Sequence, residues 1–237
     1  MKAVRWMPGM PAGARLLCVV AALGLALTGC DKAVTGVAVR DPNAPVGKIL
    51  DKSAVGDVLA SLDDIDKIMG ATDLSVVLDK RELIDNSDRV SNPSCVGAAY
   101  GGQQEMYGNS GYTAVRHQYI RQPGPSSAYI VEQVVTLYPS GVQARNMLAD
   151  AKTQLQDCAG ALTTHDSDGD INWNIGDVES DDTSITQTST ADGMGGGCEH
   201  SMAVAANVVA EAWACGNYVV DEATAITAAI VKNVDDK

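Results

Sequence analysis

Cys198-Glu199-His200-Ser201-Met202-Ala203-Val204-Ala205-Ala206-Asn207-Val208-Val209-Ala210-Glu211-Ala212-Trp213-Ala214-Cys215 is the stretch that decides the fold of this 237-residue chain. If its two cysteines pair with each other, opposed residues sum to 413. His200 then faces Trp213, Met202 faces Glu211 and Val204 faces Val209. Ala206-Asn207 becomes a two-residue hairpin turn, with Asn207 supplying the tolerance of positive φ that such turns need. His200, Met202, Glu211 and Trp213 share one face of that hairpin, because side chains alternate along a strand.

Working outward, a helix follows from about Asp221, with Ala225, Ile226, Ala229, Ile230 and Val234 on one face. Before the hairpin, segment 160–197 is polar, with Ile171–Val178 and Ser184–Thr190 reading as strands. The flexible Gly193-Met194-Gly195-Gly196-Gly197 ends it. Further upstream, Ser140 and Gln143 form a capping box. They open a helix with the stripe Ala144, Met147, Leu148, Ala151, Leu155 and Cys158, which turns Cys158 toward the core, and Gly160 ends it. Between Cys95 and Pro139 the period changes to two. Thr113–Arg121 and Ala128–Tyr138 are strands joined by the turn-rich Gln122-Pro123-Gly124-Pro125-Ser126. Val131, Val135 and Leu137 share one face of the second strand, Glu132 and Thr136 the other. Ser61-Leu62-Asp63-Asp64 is another capping box, followed by Leu62, Ile65, Ile68 and Met69 at helical spacing, with Gly70 as the stop. No repeat of 20–50 residues appears. The order of elements predicts a single α+β domain, an antiparallel sheet packed by helices.

The N-terminus gives the address. Lys2, Arg5 and Arg15 precede or edge a twelve-residue apolar run, Leu16 to Leu27. That pattern is a secretory signal, too short for a bilayer span of about 20 residues. Leu27-Thr28-Gly29-Cys30 resembles the lipobox of bacterial lipoproteins. The resemblance implies cleavage before Cys30, acylation of its thiol, and a lipid anchor at the extracytoplasmic face of the cell membrane. Residues 1–29 are then the signal peptide, 30–52 the lipidated cysteine and a flexible tether with Gly36, Pro42, Pro45 and Gly47, and 53–237 the folded domain. A 22-residue tether reaches about 70 Å fully extended and averages about 25 Å as a coil. Two or more acyl chains anchor stably, each buried methylene contributing about 0.8 kcal/mol.

Removing three basic residues from a chain of formal charge −13 leaves −16 for the mature protein, which repels phosphate backbones, so nucleic acid is not an expected partner. Phenylalanine is absent, so the core relies on Val, Ile, Leu, Ala and Met with a few Tyr and Trp. Of six cysteines, Cys18 leaves with the signal and Cys30 takes the lipid. Cys95, Cys158, Cys198 and Cys215 remain in an oxidising compartment and allow three pairings. The hairpin register favours Cys198 with Cys215, leaving Cys95 with Cys158. No C-x-x-C spacing occurs, so neither a metal nor another cofactor is expected.

Val58-Leu59-Ala60-Ser61-Leu62-Asp63-Asp64-Ile65, then Met69-Gly70-Ala71-Thr72, the spacing of the four cysteines, and Cys198–Cys215 with its internal Asn207-Val208-Val209 together resemble the PknH-like extracytoplasmic sensor domains of mycobacterial receptor kinases and their stand-alone lipoprotein relatives. The resemblance covers roughly residues 54–235. It implies one α+β domain with a twisted antiparallel sheet, two disulfides in the pairing above and a large ligand cleft. The chain carries no Gly-rich nucleotide loop and no His-Arg-Asp triplet. The binding role therefore carries over and kinase catalysis does not.

Three constellations bear on chemistry. Gly108-Asn109-Ser110-Gly111 resembles a nucleophilic serine loop. All three histidines, His117, His165 and His200, follow Ser110, however, and the G-x-S-x-G elbow is missing. Asp166-Ser167-Asp168-Gly169-Asp170, with Asn172, Asn174 and Asp177, follows a calcium-loop frame but has Ile171 where the turn glycine belongs and Asp177 where the bidentate Glu belongs. It reads as a solvated acidic turn. Last, His200, Glu211 and Trp213 on the hairpin, with Arg116 and His117 on the earlier strand, are the candidate ligand-binding residues. The expected function is a non-catalytic, lipid-anchored sensor or binding protein whose cleft takes a small molecule or cell-envelope component. The alternative is a structural or protein-interaction surface lipoprotein with a protein partner and no small ligand.

Overall fold

β7 (Gly197–Ala205) and β8 (Val208–Gly216) pair antiparallel with Cys198 opposite Cys215, His200 opposite Trp213, Met202 opposite Glu211 and Val204 opposite Val209. The hairpin register is the one that sums to 413. The turn differs in one detail. Positive φ falls on Ala206, at 49°, while the fully buried Asn207 side chain is occupied elsewhere. Its Nδ2 donates to the carbonyls of Tyr138 at 2.7 Å and Leu50 at 3.0 Å, and its Oδ1 accepts from the Leu50 N–H at 2.8 Å.

The computed structural model describes residues 49–124, 129–167, 169–192 and 195–237. The expected signal peptide, Cys30 and most of the expected tether lie outside the described residues. The folded unit begins before residue 53, because Leu50 is buried and bonded to Asn207. An apolar side chain amid Pro, Gly and Lys had concealed that boundary.

The described residues form one eight-stranded antiparallel sheet. To the hairpin it adds β1 (Ser75–Lys80), β2 (Ala114–Arg121), β3 (Ile130–Leu137), β4 (Gly160–Asp166), β5 (Gly169–Ser180) and β6 (Ser184–Ala191). The order is β1-β2-β3-β8-β7-β6-β5-β4. The interior strands β3 and β8 are buried along almost their whole length, as expected for strands covered on both faces. β4 was not foreseen. It pairs with β5 across the Asp166–Gly169 turn, so the acidic calcium-like stretch is a hairpin tip.

Helices cover the two faces. On one lie α1 (Leu62–Met69) and α4 (Glu222–Asp235), with Ile65, Ile226 and Ile230 packed on Val131, Val135 and Ala212. Ser61 caps α1 by accepting from the Asp64 N–H, and Gly70 ends it at φ 64°, both as the sequence predicts. On the other face lie the 3-10 turn Pro93–Ala98, α2 (Gln104–Tyr107) and α3 (Gly141–Asp157). The α3 stripe of Ala144, Met147, Leu148, Ala151 and Leu155 packs with Met202, Val209 and Ile185. Cys158 reaches Cys95 and fixes that turn to the end of α3, and Cys198 is bonded to Cys215. The result is a single α+β domain with two disulfides.

Candidate functional site

α3 covers only part of its face of the sheet. Its last turn stops level with Gln187, whose Nε2 donates to the Leu155 carbonyl at 3.1 Å. Gln187 faces His200, and His200 faces Trp213. One row further along, Ser189, Cys198, Cys215 and Ile130 lie in line across four strands. All four line a cavity of about 660 Å³, within the size range of small-molecule sites.

The sheet curls around this space. β2 and β4 are six strand spacings apart in the sheet order, roughly 29 Å in a flat sheet. Yet Tyr119 of β2 and Asp166 of β4 line the same cavity. The remaining wall is the irregular stretch 84–100. Its backbone is fixed by Ile84 N–H to the Gly102 carbonyl at 3.0 Å and Gln104 N–H to the Ile84 carbonyl at 2.8 Å. At the rim Arg89 pairs with Asp166 and stands 5.7 Å from the Tyr100 ring centroid.

Strand register builds the floor. Tyr119, Glu132, Trp213, His200 and Gln187 occupy one row across five strands. Glu132 is 7% exposed, and its Oε2 lies 2.7 Å from His117 Nε2. Trp213 stacks on His200 with ring centroids 4.5 Å apart. The adjacent row carries His117, Val134, Glu211, Met202 and Ile185. There Glu211 meets His200 Nε2 at 3.0 Å and accepts from the Tyr107 hydroxyl at 2.7 Å and the Gly102 N–H at 3.0 Å. Gly102 is required at this point. Its φ is 63°, and a Cβ there would stand 3.1 Å from His117 Nδ1.

Burial pushes the Glu211 carboxyl up, but the His200 hydrogen bond and charge, the Tyr107 hydroxyl and the Gly102 N–H outweigh it, and the net shift is down. Burial also raises the Tyr107 phenol well above its ordinary value, with Glu211 adding to the effect. The phenols of Tyr100 and Tyr119 are raised as well, first by burial and next by Asp166 for Tyr100 and Glu132 for Tyr119.

The sequence model of the PknH-like extracellular domain matches residues 50–233, almost the whole described unit. The chain belongs to the PknH-like extracellular domain family. It is 28% identical over 222 residues to the serine/threonine-protein kinase PknH of Mycobacterium bovis, covering 93% of this chain and 36% of that protein. To PknH of Mycobacterium tuberculosis it is 29% identical over 180 residues, covering 75% of this chain and 29% of that one. The chain thus spans about a third of the length of these relatives. The crystal structure of the extracellular domain of Mycobacterium tuberculosis PknH matches with a TM-score of 0.75 and 26% identity, over 81% of this chain and all of that one.

In this PknH-like extracellular domain the sequence-derived candidates separate into three places. His117 and Trp213 line the cavity. His200 and Glu211 project from the same face of the sheet but lie fully buried next to the cavity, and they position Trp213 and the Gly102 backbone. Arg116 belongs to the opposite face, since neighbours in a strand alternate, and it pairs with Asp79 of β1. Sequence reading missed Glu132, Tyr119, Tyr100 and Trp173, all of which line the cavity. Glu132 carried a usable signal. It is an acid in the middle of a strand that has valines on both sides.

Proposed function

We propose that this chain is a non-catalytic extracytoplasmic binding protein, held to the membrane by acyl chains on Cys30, that takes a small molecule or cell-envelope component into its cavity. The cavity carries the reading. Its floor holds a nearly buried acid, a stacked indole and Tyr119, with Tyr100 in the wall, beside a buried network in which Glu211 bonds His200, Tyr107 and the Gly102 backbone, and such preorganisation is the mark of a binding site. Family membership supports an extracytoplasmic location, because the matched portion of the kinases is their extracellular domain. The lipobox of residues 27–30 supports the anchor.

Native mass spectrometry of the full chain extracted from its own membrane tests the reading. A reproducible added mass that disappears on denaturation is the expected result, and a spectrum of bare protein alone would count against it. A protein-interaction role has one observation in its favour. Tyr218 and Val220, next to the cavity-lining Asn217, are 91% and 75% exposed. A co-purifying polypeptide in the same spectrum would favour that role.

A further inference from the structure

We infer that the cavity takes an amphiphilic organic cation, its ammonium group held against Glu132 between Tyr119 and Trp213 and its apolar body along the rest of the lining. The inference rests on the binding role proposed above and adds the ligand's chemistry.

The row across the floor supplies the first argument. Tyr119 and Trp213 face Glu132 from the strands on either side, and directly opposed Cβ atoms lie about 5 Å apart. A carboxylate flanked by two aromatic side chains is the arrangement that holds an ammonium group by charge and by the ring quadrupoles together. One face of the Trp213 ring is taken by His200, and its indole nitrogen is buried. What it offers the cavity is ring surface.

Glu132 supplies the second argument. Among the described residues it uses one oxygen on His117 and makes no other hydrogen bond. A nearly buried carboxylate with half its acceptor capacity unused is costly, and a cation in the cavity relieves that cost.

Charge supplies the third. The cavity is lined by two carboxylates, Glu132 and Asp166, and one guanidinium, Arg89, which is already paired with Asp166. Counting imidazoles as neutral, its net charge is −1. At the mouth the charges of Arg121 and Asp170 cancel in sum, although Asp170 is paired with His165 and Arg121 donates to the Gly124 carbonyl at 3.5 Å. Among the described residues that line the cavity the one guanidinium is already held by Asp166, so an anion would have to compete for it or stay at the mouth beside Arg121. Leu78, Ile84, Ala98, Ile130 and Ile171 make much of the remaining lining apolar. They match a hydrocarbon body better than a polyhydroxylated one, whose many polar groups would lack partners.

The experiment uses three probes with one tail and different heads: octyltrimethylammonium, octyl sulfate and octyl glucoside. Each is titrated below micelle formation into the full chain, with tryptophan fluorescence as the readout. Of the three tryptophans in the chain, Trp173 and Trp213 line the cavity. The cationic probe should bind about tenfold tighter than the other two. Glu132→Gln should bring the three to within about twofold of each other, and Tyr119→Leu, at the less buried end of the row, should weaken the cationic probe several-fold. Equal binding of all three, or tighter binding of the sulfate or glucoside, overturns the inference and leaves the binding role standing. A cationic preference that survives Glu132→Gln also overturns it. No response to any probe removes the cavity as a binding site, and both readings fall together.

Discussion

His200 lies flat against Trp213, the two rings 14° from parallel and directly opposed across β7 and β8. The same imidazole meets the buried Glu211 through Nε2. The indole on the cavity floor is therefore held from behind by a ring whose orientation is set by a carboxylate, and that carboxylate also carries the Tyr107 hydroxyl and the Gly102 N–H. The cavity floor and the wall that closes over it share one acid.

Glu211→Ala should accordingly destabilise the domain by about 3 kcal/mol or more, because it leaves three buried donors without an acceptor. Acid should act through the same group. Its folded pKa lies below its ordinary value of 4.5. The stabilisation is fully present above about 4.5 and is lost as pH falls through the lower folded value. Urea midpoints measured from neutral pH down to about pH 3 should fall for the wild type. They should fall less for Glu211→Gln, which has no proton to gain. Parallel curves would contradict the assignment.

The turn of the central hairpin makes a pair of opposite predictions. Asn207→Ala removes three buried hydrogen bonds that tie Leu50 and Tyr138 to the turn, and it should cost about 2–4 kcal/mol. Ala206→Gly relieves the positive φ of 49°, worth about 1–2 kcal/mol for a non-glycine residue, against about 0.4–1 kcal/mol of added chain entropy in the unfolded state. A small rise in melting temperature is expected. A fall would show that Ala206 is not strained there.

What was legible in the sequence followed strong local signals. α1 and α3 declared themselves through Ser61 and Ser140 caps and through stripes that end at Gly70 and Cys158. The β7–β8 register followed from two cysteines and a two-residue turn. β4 was hidden because Leu162 and Thr164 are the residues it buries, and alternation written in threonine does not read as hydrophobic. β1 was hidden because it is an edge strand with partial burial and a bulge between Val76 and Leu78. The cavity was legible only in part. Trp213 stood out as an aromatic on a sheet face, but Tyr119 and Glu132 come together with it only through the β2–β3–β8 register. The opposite wall is irregular chain held by bonds between residues 84 and 104, for which no local pattern exists.

Cys30→Ala should release the protein from the membrane fraction or leave the precursor uncut, since the proposed anchor is carried by that thiol. Detergent-phase partitioning and the mass of the N-terminal peptide measure both outcomes. Wild-type partitioning by the variant would remove the lipid anchor from the proposal.

Calcium at millimolar concentration should leave the melting temperature nearly unchanged. At the β4–β5 tip, Asp166 pairs with Arg89 and Asp170 with His165, so two of the frame's carboxylates are already engaged. A rise of several degrees would mean specific binding to the folded state, and the acidic turn would have to be reassigned as a site.

The two disulfides should differ both in energy and in what they hold. The Cys95–Cys158 bridge closes 63 residues and Cys198–Cys215 closes 17. Loop entropy assigns them about 4 and about 3 kcal/mol. Structure widens that gap. Cys198 and Cys215 sit in strands that are paired on both sides, so hydrogen bonding preserves their register when the bridge is lost. Cys95 lies in a 3-10 turn whose N-cap, Asn92, gives the turn no backbone-capping hydrogen bond from its side chain, and the bridge to Cys158, with the exposed Gln154 Nε2 bond to the Ser94 carbonyl, fixes that turn to α3. Cys95→Ala with Cys158→Ala should therefore destabilise the domain by more than the corresponding 198/215 pair, by about 1 kcal/mol or more. It should also speed amide exchange through 93–100, where Ala98 and Tyr100 form part of the cavity wall. In the 198/215 variant, exchange in that wall should stay as in the wild type. Urea titration measures the first difference and hydrogen exchange the second. Equal losses of stability with unchanged exchange in residues 93–100 would show that the wall is held by packing and backbone bonds without help from the bridge.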